Sequence, residues 1–477
     1  MSAPGDAFVG LDLGTSALKG VVMSGDGALI ATASALYPTA RPLPGRAEQD
    51  PEDWYAAVAA VTAALNDSVS AERWAGIGLS AMIPTLVLAG DDGQAIGPAI
   101  TWEDDRADAD GERYRTEAGE DDLYRETGQW VDGRYLLPMV RWLEREDAER
   151  VDAARHVLGA KDHLFFRLTG ERATDPSTAT GFGCYALASG GWDDDLAGTS
   201  APRLPPVEPS TFTGGLDAEA AAALGLRQGM PVVLGAADSV CGALGAGAVA
   251  PGARVSLWGT STVIMGVSAD RPNDPDHRYL VTPLALGDGW GLEMDLVSTG
   301  SAIAWLAALL GISEDDVFQL AATSPPGSNG VTFLPYLGFG EQGALWDPSL
   351  RGAISGLTLA HDRADIARAL LEGIALEVRR CVRVLDDAGV PPGPLVVAGA
   401  ASGSGMLAHL LAGATESPVG TVDDGRWVSA RGAAIVAAAS IGGMSLERLH
   451  LPARTSVEPM QDDVRIWDTL ASRDNVG

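Results

Sequence analysis

Two acidic residues, Asp12 and Asp238, each follow a short apolar segment and stand beside small residues. An aspartate at the end of a buried strand supplies the oxygen ligands that Mg²⁺ prefers. An aspartate beside a substrate hydroxyl can accept the proton of that hydroxyl. Because phosphoryl transfer to an alcohol needs both a metal and such a base, we expect Asp12 and Asp238 to bind Mg²⁺ and Asp238 to act as the base. The simpler alternatives, a turn-capping Asp12 and a helix-capping Asp238, stay open.

Two short turns rich in glycine and hydroxyl groups occur about half a chain apart. Each separates two strand-like segments, and such a turn can bind phosphate oxygens through its backbone N–H groups and side-chain hydroxyls. The repetition predicts a duplicated fold that binds a nucleotide between its halves. We name these turns the first turn, Gly14-Thr15-Ser16, and the second turn, Gly259-Thr260-Ser261.

A third glycine-containing turn follows the apolar segment 395–398. Glycine there lets a flat nucleotide base approach the backbone closely, although an ordinary loop between a strand and a helix is the alternative. A Walker-type loop is excluded, because neither lysine of the chain stands in its motif. The residues expected to face adenosine are Gly399, Ala400, Ala401 and Ser402.

The segment from Trp102 to Arg106 is a candidate sugar site. An aromatic ring can stack on the face of a sugar, and charged groups such as Asp104 and Arg106 can bind its hydroxyls. A solvated charged turn beside a half-buried tryptophan explains the same residues, so both interpretations stay open at this point.

Composition narrows the class of protein. The 477 residues include 64 acidic and 33 basic ones, for a formal charge of −31. We therefore expect neither nucleic acid nor a membrane surface as a partner, since both require clustered basic residues. The three cysteines are widely spaced, which is typical of a reducing cytosol and predicts a cytoplasmic protein. We also expect no signal peptide and no membrane span.

In the first half of the chain, periodicity and turn residues predict alternating strands and helices around the candidate site residues. Three strands are predicted within 8–36, and a helix is predicted to begin after Asp50 with Pro51 in its first turn. An apolar strand over 231–236 leads directly to Asp238. The segment 190–215 lacks periodicity and is expected to be a long surface excursion.

The second half repeats this plan and ends in helices. Apolar residues at helical spacing predict helices over 365–386 and 430–440. A chain of this length favours two large domains. We expect the first domain, with the sugar site and the first turn, over 1–246, and the second, with the second turn and the adenosine site, over 247–477.

Taken together, the motifs resemble those of the FGGY family of carbohydrate kinases, within the actin, hexokinase and Hsp70 superfamily. The resemblance runs nearly end to end and is most specific in the C-terminal signature. The segments that carry it are 12–19, 99–106, 161–162, 168–171, 173–175, 235–238, 333–337, 346–348, 352–357 and 369–373.

The resemblance implies two ribonuclease-H-like domains that bind Mg²⁺, ATP and a small sugar in a cleft between them. Closure of such a cleft excludes water, so that the sugar receives the phosphate. Lys19 is implied as part of the opening phosphate loop, and Gly235 to Asp238 as the segment of the catalytic base. A homodimer is a further expectation that rests on the family alone.

Within the family, the likeness is best to ketose kinases of the xylulose type, with two altered sugar contacts. Met82 replaces a polar histidine and Ser239 replaces an asparagine of those enzymes. Because lost hydrogen-bonding groups change selectivity strongly, glycerol, a tetritol or gluconate stays open as the acceptor. An actin- or Hsp70-like ATPase and a member that binds sugar without phosphorylating it are the remaining alternatives.

Overall fold

The computed structural model describes residues 6–338, 343–347, 349–446, 454–459 and 467. Within these ranges we find no helix with the length and apolar character that crossing a membrane requires. The described residues form two compact units. Unit 1 draws on Met1–Gly247, Val281–Asp288 and Trp427–Leu451, and unit 2 on Ala248–Leu280, Gly289–Arg426 and Pro452–Gly477.

Strands and helices alternate along much of the chain, as in a mixed α/β fold. The strands are β1 Ala7–Leu13, β2 Ala17–Ser24, β3 Leu29–Leu36, β4 Glu48–Gln49, β5 Trp74–Ala81, β6 Leu86–Ala89, β7 Ala99–Ile100, β8 His156–Gly159, β9 Tyr185–Ala186, β10 Gly191–Trp192, β11 Thr213–Gly215, β12 Pro231–Ala237, β13 Arg254–Trp258, β14 Thr262–Ser268, β15 Leu280–Pro283, β16 Trp290–Leu296, β17 Thr332–Leu334, β18 Ala353–Ser355, β19 Leu395–Gly399, β20 Val419–Val422 and β21 Arg454–Val457. The helices are α1 Pro51–Ser68, α2 Asp108–Ala118, α3 Glu120–Thr127, α4 Leu136–Glu146, α5 Ala148–Ala153, α6 Ala160–Thr169, α7 Pro176–Thr180, α8 Asp194–Ala197, α9 Ala218–Leu224, α10 Asp238–Gly245, α11 Gly300–Leu310, α12 Glu314–Ala321, α13 Arg363–Asp387, α14 Gly405–Thr415 and α15 Val428–Gly442.

The main sheet of unit 1 has the strand order β11-β12-β5-β1-β2-β3. Strands β1, β5 and β12 run parallel, so that their carboxyl ends lie at one edge. The three predicted strands within 8–36 are confirmed as β1, β2 and β3. The predicted start of α1 is confirmed as well, since the Asp50 side chain accepts the N–H of Glu52 and Pro51 opens the helix.

Helix α15 packs directly against this sheet. A Cβ atom at Gly10 would lie 1.8 Å from the backbone oxygen of Ala430, and one at Gly78 would lie 2.1 Å from that of Ala433. Only glycine permits so close an approach of helix and strand backbones. Although the sequence placed all of 247–477 in the second domain, residues 427–446 lie in unit 1.

The segment 190–215 is more ordered than we expected. It contains β10, α8 and β11, and β11 pairs antiparallel with β12 at the edge of the main sheet. The predicted excursion therefore contains short regular elements that were not predicted. Thr213-Gly214-Gly215 has little strand propensity of its own, so the pairing with β12 determines its conformation.

Unit 2 is built on a second sheet, in which six consecutive strands of seven follow the order β16-β14-β13-β19-β20-β21. Strand β13 pairs antiparallel with β14 and parallel with β19. The turn after β13 and the loop after β19 therefore lie at the same edge of this sheet. The predicted helices over 365–386 and 430–440 are confirmed as α13 and α15, and the chain has two sheet-rich α/β domains as expected.

Candidate active site

The first turn connects β1 and β2 and is fixed by side chains from three other segments. The indole N–H of Trp102 donates to Thr15 Oγ1 at 3.0 Å. The Gln49 amide nitrogen donates to the Thr15 carbonyl oxygen at 2.7 Å. The Tyr37 hydroxyl donates to the Gly14 carbonyl oxygen. These contacts hold the turn in one shape while the side chain of Ser16 stays exposed, as a phosphate-binding turn requires.

Asp12 lies in β1, opposite Ser80 of β5 and Lys19 of β2. Its carboxylate is buried and accepts a hydrogen bond from Ser80 Oγ at 2.9 Å. Burial raises the pKa of Asp12, while the charge of Lys19 and the Ser80 hydrogen bond act in the opposite direction. A cation near this carboxylate would relieve the cost of its buried charge, so the residue fits an oxygen-ligated metal.

Asp238 is the first residue of α10, and the helix-capping alternative for it is wrong. The N-cap is Ala237, and no side chain makes a capping hydrogen bond there. Instead, Oδ1 of the half-buried Asp238 carboxylate accepts the N–H of Ser239 at 2.9 Å. The amino-terminal end of a helix stabilises negative charge, so this position favours the ionised carboxylate that a general base needs.

Tyr37 links the two aspartates electrostatically. Burial raises the pKa of Tyr37, and the negative charges of Asp12 and Asp238 raise it further. The strand register agrees, because Ser80 of β5 is paired with Asp12 on one side and with Ala236 on the other. Both carboxylates therefore lie at one edge of the unit 1 sheet. Sequence reasoning missed Tyr37, since a tyrosine after β3 belongs to no motif of the resemblance.

The charged residues of the candidate sugar segment are bonded mainly to one another. Arg106 donates from Nε and from its terminal nitrogen to the two Asp104 oxygens, each at 2.7 Å. The same terminal nitrogen donates to Glu48 Oε1 at 2.7 Å. The side chains of Arg106 and Asp104 are 5% and 0% exposed, so a solvated turn is excluded for them. Direct contact of either with a sugar stays a prediction.

The two altered positions of the ketose-kinase pattern are also buried. Met82 is 2% exposed within the apolar core of unit 1, and its N–H donates to the Leu13 carbonyl oxygen at 2.9 Å. Ser239 is 9% exposed. Trp102 is half-buried and uses its indole N–H on the first turn. Sugar contacts by these three residues stay predictions.

The second turn lies in unit 2 between β13 and β14. The Gly259 N–H donates to the Ser261 carbonyl oxygen at 2.8 Å, and Gly259 and Thr260 are exposed. Helix α11 begins directly against this turn, since a Cβ atom at Gly300 would lie 2.1 Å from the Gly259 oxygen. The Ser301 N–H donates to the Thr260 carbonyl oxygen at 3.0 Å. The amino-terminal end of α11 thus packs against the second turn and donates a hydrogen bond to it.

The predicted adenosine loop follows β19 in unit 2 and adjoins the second turn. Gly399 is paired with Trp258, has φ of +97°, and would place a Cβ atom 2.0 Å from the Trp258 carbonyl oxygen. Ser402 Oγ donates to the Gly399 carbonyl oxygen at 2.9 Å, and Ala400 is exposed. The side chain of Ala401 lies outside the described residues. Unit 2 therefore brings the second turn and this loop to neighbouring strand ends.

Comparisons with known proteins show the family of this chain. Residues 7–245 match the N-terminal domain model of the FGGY family of carbohydrate kinases, and residues 255–441 match its C-terminal domain model. The chain belongs to the FGGY family of carbohydrate kinases. It is therefore a sugar phosphotransferase, and kinases of this family use ATP as the phosphate donor. An actin- or Hsp70-like ATPase is no longer a competing interpretation.

Relatives in the family carry different substrate names. A xylulose kinase of Escherichia coli (strain K12) is 30% identical over 412 residues, 85% of this chain and 84% of that protein. A glycerol kinase of Gloeobacter violaceus is 32% identical over 431 residues, 88% and 85% of the two chains. The crystal structure of gluconate kinase from Lactobacillus acidophilus covers 98% of this chain and 97% of its own, with a TM-score of 0.89 and 25% identity. Family membership thus establishes a sugar or polyol kinase and leaves the acceptor open.

Proposed function

We propose that this FGGY kinase phosphorylates a hydroxyl of a small neutral acceptor. The first candidate is a ketopentose such as xylulose, and the second is a polyol such as glycerol. The observation that carries the proposal is the engagement of Arg106 by Asp104 and Glu48, which accept three hydrogen bonds from its Nε and one terminal nitrogen. Xylulose ranks first because the sequence motifs are most similar to those of ketose kinases. Glycerol ranks second because a glycerol kinase is 32% identical to the chain, which is about as similar as the xylulose kinase at 30%.

Charge separates a neutral acceptor from an aldonate such as gluconate. The substrate carboxylate of an aldonate needs a cationic partner when it leaves water. Arg106 already serves two carboxylates, and Arg41 pairs with Glu103 at 2.9 Å. An anionic acceptor beside this acidic segment would meet like charge, which costs binding free energy. A neutral polyhydroxy compound meets no such penalty.

In the proposed mechanism Asp238 accepts the proton of the attacking hydroxyl. The substrate oxygen forms its bond to the γ-phosphorus of ATP while the bond between that phosphorus and the β,γ-bridging oxygen breaks, and ADP leaves. The first turn with Lys19 and the second turn bind phosphate oxygens, and Gly399 to Ser402 contact adenosine. Tyr37 and Ser80 orient the first turn and Asp12.

Asp12 and Asp238 also present the all-oxygen ligand set that Mg²⁺ takes, one or two carboxylates with water and phosphate completing the shell. The buried Asp12 carboxylate, with its raised pKa, fits a nearby cation. When bound, Mg²⁺ would neutralise negative charge on the transferring phosphate.

An ADP-release screen with Mg-ATP tests the proposal. The panel contains pentuloses, hexuloses, tetritols, glycerol and aldonates at equal concentration. We expect ADP release with a neutral ketose or polyol and little with gluconate. Strong release with an aldonate alone would contradict the proposed acceptor class while leaving the kinase assignment intact. ATP binding without turnover on any acceptor would favour a member that binds sugar without phosphorylating it.

A further inference from the structure

A buried cluster of charges lies in unit 1 and has no role in the mechanism above. Lys161 Nζ is 3.0 Å from Asp162 Oδ1 and 3.2 Å from Asp175 Oδ1. All three side chains are at most 1% exposed. Burial by itself lowers the pKa of Lys161, but the two carboxylates raise it overall, so the lysine stays charged. Buried ion clusters are costly unless their geometry and hydrogen bonds are complete.

Asp175 connects this cluster to helix α7. Its Oδ2 atom accepts the Ser177 N–H at 3.0 Å and Ser177 Oγ at 2.5 Å. Its Oδ1 atom accepts Thr178 Oγ1 at 2.6 Å in addition to Lys161. The carboxylate thus caps α7 and orients the Ser177 hydroxyl, whose single proton is committed to Asp175. The oxygen of that hydroxyl remains available as an acceptor.

The Ser177 oxygen accepts the backbone N–H of Ala237 at 3.0 Å. Ala237 is the last residue of β12 and immediately precedes Asp238. A continuous chain of hydrogen bonds therefore runs from Lys161 through Asp175 and Ser177 to the backbone beside the proposed base.

The same cluster also fixes the bend in β12 just before the base. The register of β12 against β5 shifts between Val233 and Ala236, and Gly235 has φ of +72°. Ser210 donates from Oγ to Asp175 Oδ2 at 3.3 Å, and its carbonyl oxygen accepts the Gly235 N–H at 2.9 Å. Bulges of this kind re-aim the chain that follows them. Both sides of the bend are thus tied to Asp175.

We infer that the chain Lys161–Asp175–Ser177 positions the carboxylate of Asp238 for proton transfer, with Ser177 as the positioning residue in contact with the end of β12, directly before the base. The inference rests on the proposed role of Asp238. Its physical basis is the narrow tolerance of a catalytic group, for which a displacement of about 1 Å can cost about 100-fold in rate. Without the Ser177 oxygen, the buried Ala237 N–H must find another partner, and the strand end moves with it.

The test compares Ser177→Ala with a matched control, Thr62→Ala. Thr62 is also fully buried in unit 1, and its hydroxyl donates to the Val58 carbonyl oxygen at 2.7 Å. Both residues of this hydrogen bond are remote in sequence from β12 and Asp238. We expect Ser177→Ala to lower kcat by about 10- to 100-fold with the KM for ATP unchanged. Thr62→Ala should lower thermal stability while leaving kcat as in the wild type.

A second pair of variants covers the case in which Ser177→Ala does not fold. Ser177→Thr and Ser177→Val have nearly equal volume and differ by the hydroxyl. We expect a higher kcat for Ser177→Thr than for Ser177→Val at equal thermal stability, and equal kcat values would overturn the inference. Loss of kcat in Thr62→Ala to the same extent as in Ser177→Ala would also overturn it. If the wild type is an active kinase and Asp238→Asn keeps its turnover, the proposed base itself is wrong, which is a distinguishable failure.

Discussion

Replacement of Arg106 by alanine tests whether this residue serves the protein interior or the substrate. The variant removes three hydrogen bonds to Asp104 and Glu48 and leaves the Asp104 carboxylate, 0% exposed, without its cation. Removal of one partner of a buried ion pair costs about 3–5 kcal/mol. Since 1 kcal/mol shifts the Tm of a domain of this size by about 2–4 °C, the expected fall in Tm is about 6–20 °C.

Thermal unfolding followed by circular dichroism measures this effect, with Arg41→Ala as the control. Arg41 pairs with Glu103 at 2.9 Å, but its side chain is 55% exposed. An exposed pair of this kind contributes about 0–1 kcal/mol, so the control should change Tm by at most about 4 °C. An Arg106→Ala variant with wild-type Tm and a strongly raised KM for the acceptor would instead show that Arg106 is a substrate ligand.

The remaining predictions concern the base, the metal site and the nucleotide loop. Asp238→Asn should abolish phosphoryl transfer and spare ATP binding, because the amide cannot accept the hydroxyl proton. Kinetics measures the transfer and calorimetry the binding. Wild-type turnover would show that Asp238 is not the base. The raised pKa of Asp12 means that the folded state binds more protons than the unfolded state just above pH 3.8. The contribution of Asp12 to stability is therefore lost as pH rises from that value through its folded-state pKa. Urea unfolding at several pH values should show a weaker decline for Asp12→Asn, and an identical pH dependence would contradict the assignment. Gly399→Ala should weaken ATP binding, because it requires φ of +97° and places Cβ 2.0 Å from the Trp258 oxygen; unchanged affinity by calorimetry would show that this loop does not contact the nucleotide.

Much of the fold follows from local patterns in the sequence. The hairpins around both turns combine strand-forming segments with glycine, and α1 has its capping aspartate and its proline in the expected places. Strand β12 and helix α13 are continuous apolar or amphipathic segments. Such elements are predictable because the residue pattern that indicates them lies within the segment itself.

The elements that sequence reasoning missed depend on distant partners. Strand β11 forms only because β12 offers an edge for pairing. The place of α15 in unit 1 depends on Gly10 and Gly78, whose missing side chains let the helix approach the sheet. The residues of α15 alone do not predict this packing, because the two glycines lie several hundred residues earlier in the chain.

The candidate site shows the same division. The sequence predicted roles for the aspartates and both turns from their motifs, but it could not supply the partners that orient them. Tyr37 and Gln49 lie outside every motif, and the motif position of Ser80 gave no sign of its bond to Asp12. All three reach the first turn or Asp12 only through the tertiary fold. The mutual pairing of Arg106 and Asp104 is likewise visible only in three dimensions, and it changes the chemistry inferred for the sugar segment.

An internal competition assay measures which acceptor this kinase selects. The wild-type protein receives Mg-ATP and an equimolar mixture of xylulose, glycerol and gluconate, and mass spectrometry quantifies the phosphorylated products, whose ratios report the ratios of kcat/KM. We expect xylulose phosphate or glycerol phosphate to dominate the early products. Predominant formation of phosphogluconate would contradict the claim that the chain selects a neutral acceptor.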